Sequence, residues 1–262
     1  MVQQLNCAVL VDRPSAHTLL VTIDRPDVHN AVNREVAEGL ARAVQMSEAD
    51  PDIWVVILTG AGGRAFCAGA DLNEVAAGNL DRLFLPNGGF AGFVHAVRTR
   101  VWIAAVDGFA LAGGFEIALA CDLIVAAENS TFGLPEVKRG LIASAGGVYR
   151  LSRLLPRNVA NELIATGARL DCARAHSLGL VNHVACSGEA VDQAIRLSLA
   201  ICENAPLAVQ ESLKIARSSL DHTDYELAQL SNERQTWIMK THDFAEGPRA
   251  FLEKRKPNWT GT

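Results

Sequence analysis

Short apolar, β-branched runs and longer amphipathic stretches alternate through the first half of the chain, and helical periodicity dominates the second. Residues 7–12 and 17–24 are β-rich runs separated by a Pro-containing turn, which predicts an opening antiparallel hairpin. Across residues 30–46 the apolar positions Val32, Val36, Leu40 and Val44, with Ala37 and Ala41 beside them, recur at helical spacing. Arg34, Glu35, Glu38 and Arg42 fall outside that stripe, so the segment is expected to be a helix with one buried face. Residues 54–58 form a continuous apolar run of the kind buried on both faces of a parallel sheet, ended by Gly60, Gly62 and Gly63. Residues 101–106 and 123–127 repeat that pattern, each joined to a small-residue turn or a helical stretch. The core is therefore expected to be α/β, made of successive β-β-α or β-α turns.

Beyond Ser144 the spacing predicts helices over 151–166, 172–178, 189–204, 207–220 and 224–240, with a brief strand near 180–184. Residues 201–262 are too few to build a compact core alone and are expected to pack on residues 1–200 or on another subunit.

Composition narrows the function. The chain has 262 residues, 49% hydrophobic and 20% charged, a balance that buries a sizeable core. A net charge of -5 argues against a nucleic-acid surface, which needs a basic excess. The most apolar stretch, 103–127, carries Asp107, Glu116 and Asp122, each costing about 2.5 to 3.5 kcal/mol near the centre of a membrane helix, so no membrane span is expected. Asp12 and Arg13 precede any long apolar run, and the expected location is cytoplasmic. The six cysteines, at 7, 67, 121, 172, 186 and 202, lack CxxC or zinc spacing and read as packed thiols. The seven histidines hold no HxxxH or HxH pair, so no metal is expected.

Two Gly-rich turns, residues 60–71 and 108–116, follow apolar strands. Small residues at such turns let backbone N–H groups approach a ligand, and a helix starting there adds its positive end, so each turn offers a donor to a developing oxyanion. For either turn taken alone, tight turning and close packing are the better explanation. Neither contains G-x-G-x-x-G or a G-K-[ST] ending, which disfavours dinucleotide and nucleoside-triphosphate chemistry. A hydrolase elbow fails too, because Ile142 stands where G-x-S-x-G around Ser144 needs its first glycine.

Glu116 has small or apolar neighbours on every side, and burial there would raise its pKa and suit proton transfer. It could also simply complement the dipole of a helix start. Glu136 follows Pro135 in a turn-like segment; it is either a second acid or the partner of Lys138 or Arg139 in an exposed ion pair.

The phrases Ala65-Phe66-Cys67-Ala68-Gly69-Ala70-Asp71-Leu72, the stretch 103–116 ending Gly113-Gly114-Phe115-Glu116, and Phe132-Gly133-Leu134-Pro135-Glu136 together resemble the enoyl-CoA hydratase/isomerase (crotonase) family, in order and spacing. The resemblance extends to Arg25-Pro26-Asp27-Val28-His29-Asn30-Ala31, to Ala145-Gly146-Gly147-Val148-Tyr149-Arg150-Leu151 and to residues 250–257, nearly the whole chain. It implies a crotonase-like spiral of β-β-α units, residues 1–200, followed by a C-terminal helical oligomerisation region, residues 201–262. It implies that the N–H groups of Ala70 and Gly113 form an oxyanion hole on a thioester carbonyl. Arg25, Asp27 and Val28, with Ala68, Asp71 and Leu72, would line a channel for coenzyme A, and Phe251 and Lys254 would contact the coenzyme A of a neighbouring subunit.

Hydratases of this family carry both glutamates, and so does this chain. The implied reaction is addition of water to a 2-enoyl-CoA, with Glu116 holding and deprotonating the water and Glu136 protonating C2. No external cofactor is implied, since coenzyme A arrives with the acyl-CoA substrate; a homotrimer or a dimer of trimers is. Ile142-Ala143-Ser144 replaces the Pro-containing turn of typical fatty-acid hydratases, and Arg139 and residues 85–93 lie toward the acyl side, a stretch that also resembles relatives acting on carnitine-derived acyl-CoA. An enoyl-CoA isomerase, a carnitinyl-CoA dehydratase and a non-catalytic acyl-CoA-binding protein are the alternatives.

Overall fold

The computed structural model describes residues 2–262, which divide into two compact units parting after Ser198. In the first unit the chain opens with β1 (Gln3–Asn6), β2 (Val9–Ser15) and β3 (Thr18–Ile23), an antiparallel meander, then α1 (Arg34–Ala49) and β4 (Val55–Gly60). Next come β5 (Ala65–Cys67), α2 (Leu72–Ala76) and a small hairpin of β6 (Phe84–Leu85) and β7 (Gly89–Phe90). They are followed by β8 (Val101–Val106), β9 (Phe109–Leu111), α3 (Gly113–Ala120), β10 (Leu123–Ala127) and β11 (Thr131–Gly133). The remainder is α4 (Gly147–Leu154), α5 (Arg157–Thr166), β12 (Arg169–Asp171), α6 (Cys172–Ser177), β13 (His183–Ala185) and most of α7 (Ala190–Cys202), whose last four residues fall in the second unit.

Two sheets advance in step. A seven-stranded sheet runs β1-β2-β3-β4-β8-β10-β13 and a four-stranded sheet runs β12-β11-β9-β5. Strands β4, β8 and β10 are mutually parallel, with Ile57 beside Ile103 and Ile103 beside Leu123. Strands β5, β9 and β11 are parallel in the second sheet. Each turn of the chain thus places one strand in each sheet before its helix or 3₁₀ turn, the β-β-α spiral that the resemblance implies. All six residues of β8 are buried, as a strand covered on both faces requires. Phe66, Phe93, Phe115 and Phe132, with Trp102 of β8 itself, are among the largest fully buried side chains, and the Phe93 ring packs edge-on against Trp102.

Several boundaries differ from the periodicity. The first helix begins at Arg34, because the Asn33 side chain caps it by accepting from the Val36 N–H (3.0 Å). Val32 is drawn instead into a parallel bridge with Ala70. Pro14 lies inside β2 and not in the turn, at a register irregularity beyond the last residue paired with β1. The single helix expected over 151–166 is two, since Leu155, preceding Pro156, adopts the extended backbone that a following proline demands. The short strands β1, β5, β9, β11 and β12 have no periodic signature in the sequence.

The second unit holds α8 (Pro206–Ser218), α9 (Asp224–Ile238) and α10 (His242–Leu252). The last was not expected, its pattern being interrupted by Pro248. Its buried Asp243 and Glu246 fasten the C-terminal segment, accepting from the N–H groups of Thr260 (2.8 Å) and Asn258 (2.8 Å). Among the described residues no helix is long and apolar enough to cross a membrane, and no cluster of His, Cys, Asp and Glu is arranged to hold a metal. All six thiols are free; Cys67 and Cys172 are buried, Cys7 and Cys186 exposed.

Candidate active site

Two backbone amides, those of Ala70 and Gly113, lie on neighbouring turns. In the bridge joining Val32 and Ala70, the Val32 N–H donates to the Gly69 carbonyl (2.7 Å) and the Asp71 N–H to the Val32 carbonyl (2.8 Å). Ladder geometry then turns the N–H of Ala70 to the opposite side, away from Val32. Gly113 is the first residue of α3, whose leading amides have no intrahelical acceptor. Among the described residues neither amide has a hydrogen-bond acceptor. The two turns touch: a Cβ built on Gly69 would come within 2.9 Å of the Gly113 nitrogen.

Close approach explains the glycine pair at the head of α3. A Cβ on Gly113 would sit 2.5 Å from the Phe90 ring, and one on Gly114 would sit 2.0 Å from the Cys67 carbonyl oxygen. Ala112, just before them, is held at φ 51, ψ -130, a strained backbone for a residue with a side chain.

The loops around Ala70 are fixed from below. Arg25 donates to the Asp71 carboxylate (2.9 Å) and to the Ala31 carbonyl (2.6 Å), while Asp71 caps α2 by accepting from the Asn73 N–H (3.0 Å). Asn30, wholly buried, accepts from the Arg25 N–H (2.9 Å) and donates to the carbonyls of Ala61 (2.9 Å) and Ala65 (2.7 Å). Arg25 and Asp71 are thus committed to each other. Asp27, Val28 and Leu72 are exposed on the two segments this pair joins, and the Ala68 N–H donates to the His29 carbonyl (3.1 Å). An exposed Val28 and Leu72 leave apolar surface for a ligand.

Glu116 stands in the first turn of α3 and is buried, with Oε1 accepting from the Gly147 N–H (2.8 Å). Burial pushes its carboxyl up to about 7, and the negative charge of Glu136 pushes the same way, against the amides of Gly147 and Ala145 and the charge of Arg150. Glu136 lies in the 3₁₀ turn Pro135–Arg139; burial raises its carboxyl too, opposed by its own amide and by Arg139. Its Oε2 is buried without a hydrogen-bond partner. The expected alternative, an exposed ion pair with Lys138 or Arg139, is not formed. Two carboxyls, both raised by burial and with the charge of Glu136 acting on Glu116, suit stepwise proton exchange with a water.

Phe251 and Lys254 belong to the second unit. Phe251 is 83% exposed, and Lys254 adopts a left-handed backbone just beyond α10. Sequence reasoning missed Asn30 as the tie between three loops, and the pairing of Gly147 with Glu116. Gly146-Gly147 was the visible trace of the latter.

The family model for enoyl-CoA hydratase/isomerase matches residues 14–262. A carnitinyl-CoA dehydratase of Salmonella enteritidis PT4 is 38% identical over 248 residues, 93% of this chain and 95% of that protein. The crystal structure of an enoyl-CoA hydratase from Mycobacterium tuberculosis H37Rv is 44% identical with a TM-score of 0.94, covering 98% of this chain and 100% of that one. A carnitinyl-CoA hydratase from Mycobacterium avium is also 44% identical at the same coverage, with a TM-score of 0.77.

Proposed function

Since this chain belongs to the enoyl-CoA hydratase/isomerase family, we propose that it is an enoyl-CoA hydratase, adding water reversibly across the C2–C3 double bond of an acyl-CoA thioester. The observation that carries the reading is the second acid: Glu116 and Glu136 are close enough for the charge of one to raise the other. A water between them gives a proton to the Glu116 carboxylate as its oxygen bonds C3. The π electrons move onto C2 and the thioester carbonyl, where the amides of Ala70 and Gly113 hold the developing oxyanion. Glu136 then gives its proton to C2, and exchange through solvent returns both acids to their starting states. Loss of one such amide donor costs about 100- to 1000-fold in rate.

Coenzyme A enters with the substrate, against the segments carrying Arg25, Asp27, Val28, Ala68, Asp71 and Leu72, with Phe251 and Lys254 offered to a neighbouring subunit in a trimer or a dimer of trimers. Arg25 and Asp71 act there by fixing the loop, being already paired with each other. The second reading is dehydration of carnitinyl-CoA, favoured by the names of two of the relatives; it is the same chemistry reversed on a different acyl group.

Mass spectrometry on a panel of 2-enoyl-CoAs together with carnitinyl-CoA separates the two by a gain or loss of one water. Hydration is expected, abolished in both Glu116→Gln and Glu136→Gln. Full activity of Glu116→Gln in moving a 3-enoyl double bond would instead identify an isomerase, and no turnover of any member by the parent chain would remove the hydratase reading.

A further inference from the structure

The Gly-Gly turn before α4 holds one of the acids, and the side chain that shapes this turn is Arg150. Its Nη1 donates to the Ala145 carbonyl (3.1 Å) and its Nη2 to the Val94 carbonyl (2.5 Å), tying the turn to the segment that follows β7. The guanidinium fills the space beside Gly146, where a Cβ would stand 2.0 Å from Nη1. Gly146 is at φ 114, and the next residue, Gly147, points its N–H at Glu116 Oε1 (2.8 Å). A planar fork bonded to two carbonyls on different segments is a geometry arginine makes and lysine does not.

We propose that Arg150 is a positioning residue for the acid pair: by clamping residues 145–147 to Val94 it holds the Gly147 amide on Glu116, and it supplies a cation to that carboxyl. The inference rests on the hydratase reading only for its kinetic consequence. The charged and titratable groups that act on Glu116 are Glu136, from the 3₁₀ turn, and Arg150, from α4. Tyr149, Glu116 and Cys121 act on Arg150 on one side of the balance and Arg153 on the other, and Arg150 in turn acts on His95, which is bonded to the Tyr149 hydroxyl. Glu136 and burial disfavour the Glu116 carboxylate; Arg150 and the amides it positions favour it. Removing Arg150 withdraws that charge and loosens the amide, and both losses move Glu116 the same way.

The expected result is a rise of about one pH unit in the Glu116 midpoint in Arg150→Met, the low end of what a facing opposite charge exerts. Arg150→Lys, which keeps a charge without the fork, is expected to show a smaller rise. The midpoint is read in the free protein by NMR of carbon-13-labelled glutamate, with the Glu116 signal assigned by its disappearance in Glu116→Gln. On the substrate found in the acyl-CoA panel, the acid limb of kcat/KM should move upward by the same amount. Should Arg150→Met fail to fold, the Lys variant decides alone. A Glu116 midpoint unmoved in either folded variant overturns the proposal, even where turnover falls. Absence of turnover in the parent chain would sink the hydratase reading, whereas the NMR midpoint would still decide the role of Arg150 independently.

Discussion

At the scale of single residues, Glu116 carries opposed demands. Its folded-state pKa of about 7 lies above the ordinary 4.5 because burial penalises the charge. A raised folded value means that this carboxyl favours the fold most at pH below 4.5, and that the contribution is lost as pH rises through about 7. The difference is worth about 3 kcal/mol when the group is fully ionised. Glu116→Gln keeps an oxygen for the Gly147 amide and removes the charge. Its thermal unfolding at pH 8 is therefore expected to lie above that of the parent by up to about 3 kcal/mol, with little difference at pH 5, while hydration is lost. Equal stability gain at both pH values, or none at pH 8, would show that the carboxylate is not strained by its burial. Glu116 and Glu136 were legible as residues because the phrases around them are distinctive. The action of Glu136 on Glu116 was not, since the two lie on different elements, the 3₁₀ turn at 135–139 and α3, which only the fold brings within reach of each other.

At the scale of elements, the head of α3 concentrates the constraints. Gly114 cannot relieve a contact of 2.0 Å between an added Cβ and the Cys67 carbonyl by rotating a side chain, because the obstacle is the backbone of β5. Gly114→Ala is expected to push α3 away from β5 at a cost of about 1 to 3 kcal/mol in urea unfolding. It should also lower kcat, since Gly113 and Glu116 ride on the same helix; an unchanged unfolding midpoint and kcat would mean the two elements are not docked as described. The strands β8 and β10 were readable to the residue, because both faces of each are covered and nothing polar interrupts the run. The helix over 151–166 was misread where a proline outweighed periodicity, and α10 was missed because Pro248 breaks its pattern. The start of α1 moved because Asn33 caps the helix while Val32 is captured by Ala70, and only the capture is a tertiary effect that no local pattern records. The clamp at Arg150 joins residues 56 apart in sequence and left no trace beyond two adjacent glycines.

At the scale of the whole molecule, the second unit poses a question of burial. Across residues 199–262 the buried residues are Pro206, Gln210, Asp243, Glu246 and Ala250, and no large apolar side chain among them is buried. Leu220 (65%), Tyr225 (72%), Met239 (54%), Phe251 (83%) and Leu252 (79%) are instead exposed. Apolar surface on this scale, on helices with so little core of their own, is characteristic of an interface between subunits. Closed symmetry then favours a small ring over an open chain of copies. The family resemblance implies a trimer or a dimer of trimers, so for a chain of 28.0 kDa sedimentation is expected to report a mass three or six times that value. Charge placed on the exposed apolar side chains should lower it: Phe251→Glu combined with Leu252→Glu is expected to shift the distribution toward the single chain at micromolar concentration, because each buried carboxylate left unpaired at an interface costs several kcal/mol. A parent protein that sediments as one chain at every concentration would refute subunit burial of these helices, and the roles offered to Phe251 and Lys254 at a neighbour's ligand would go with it.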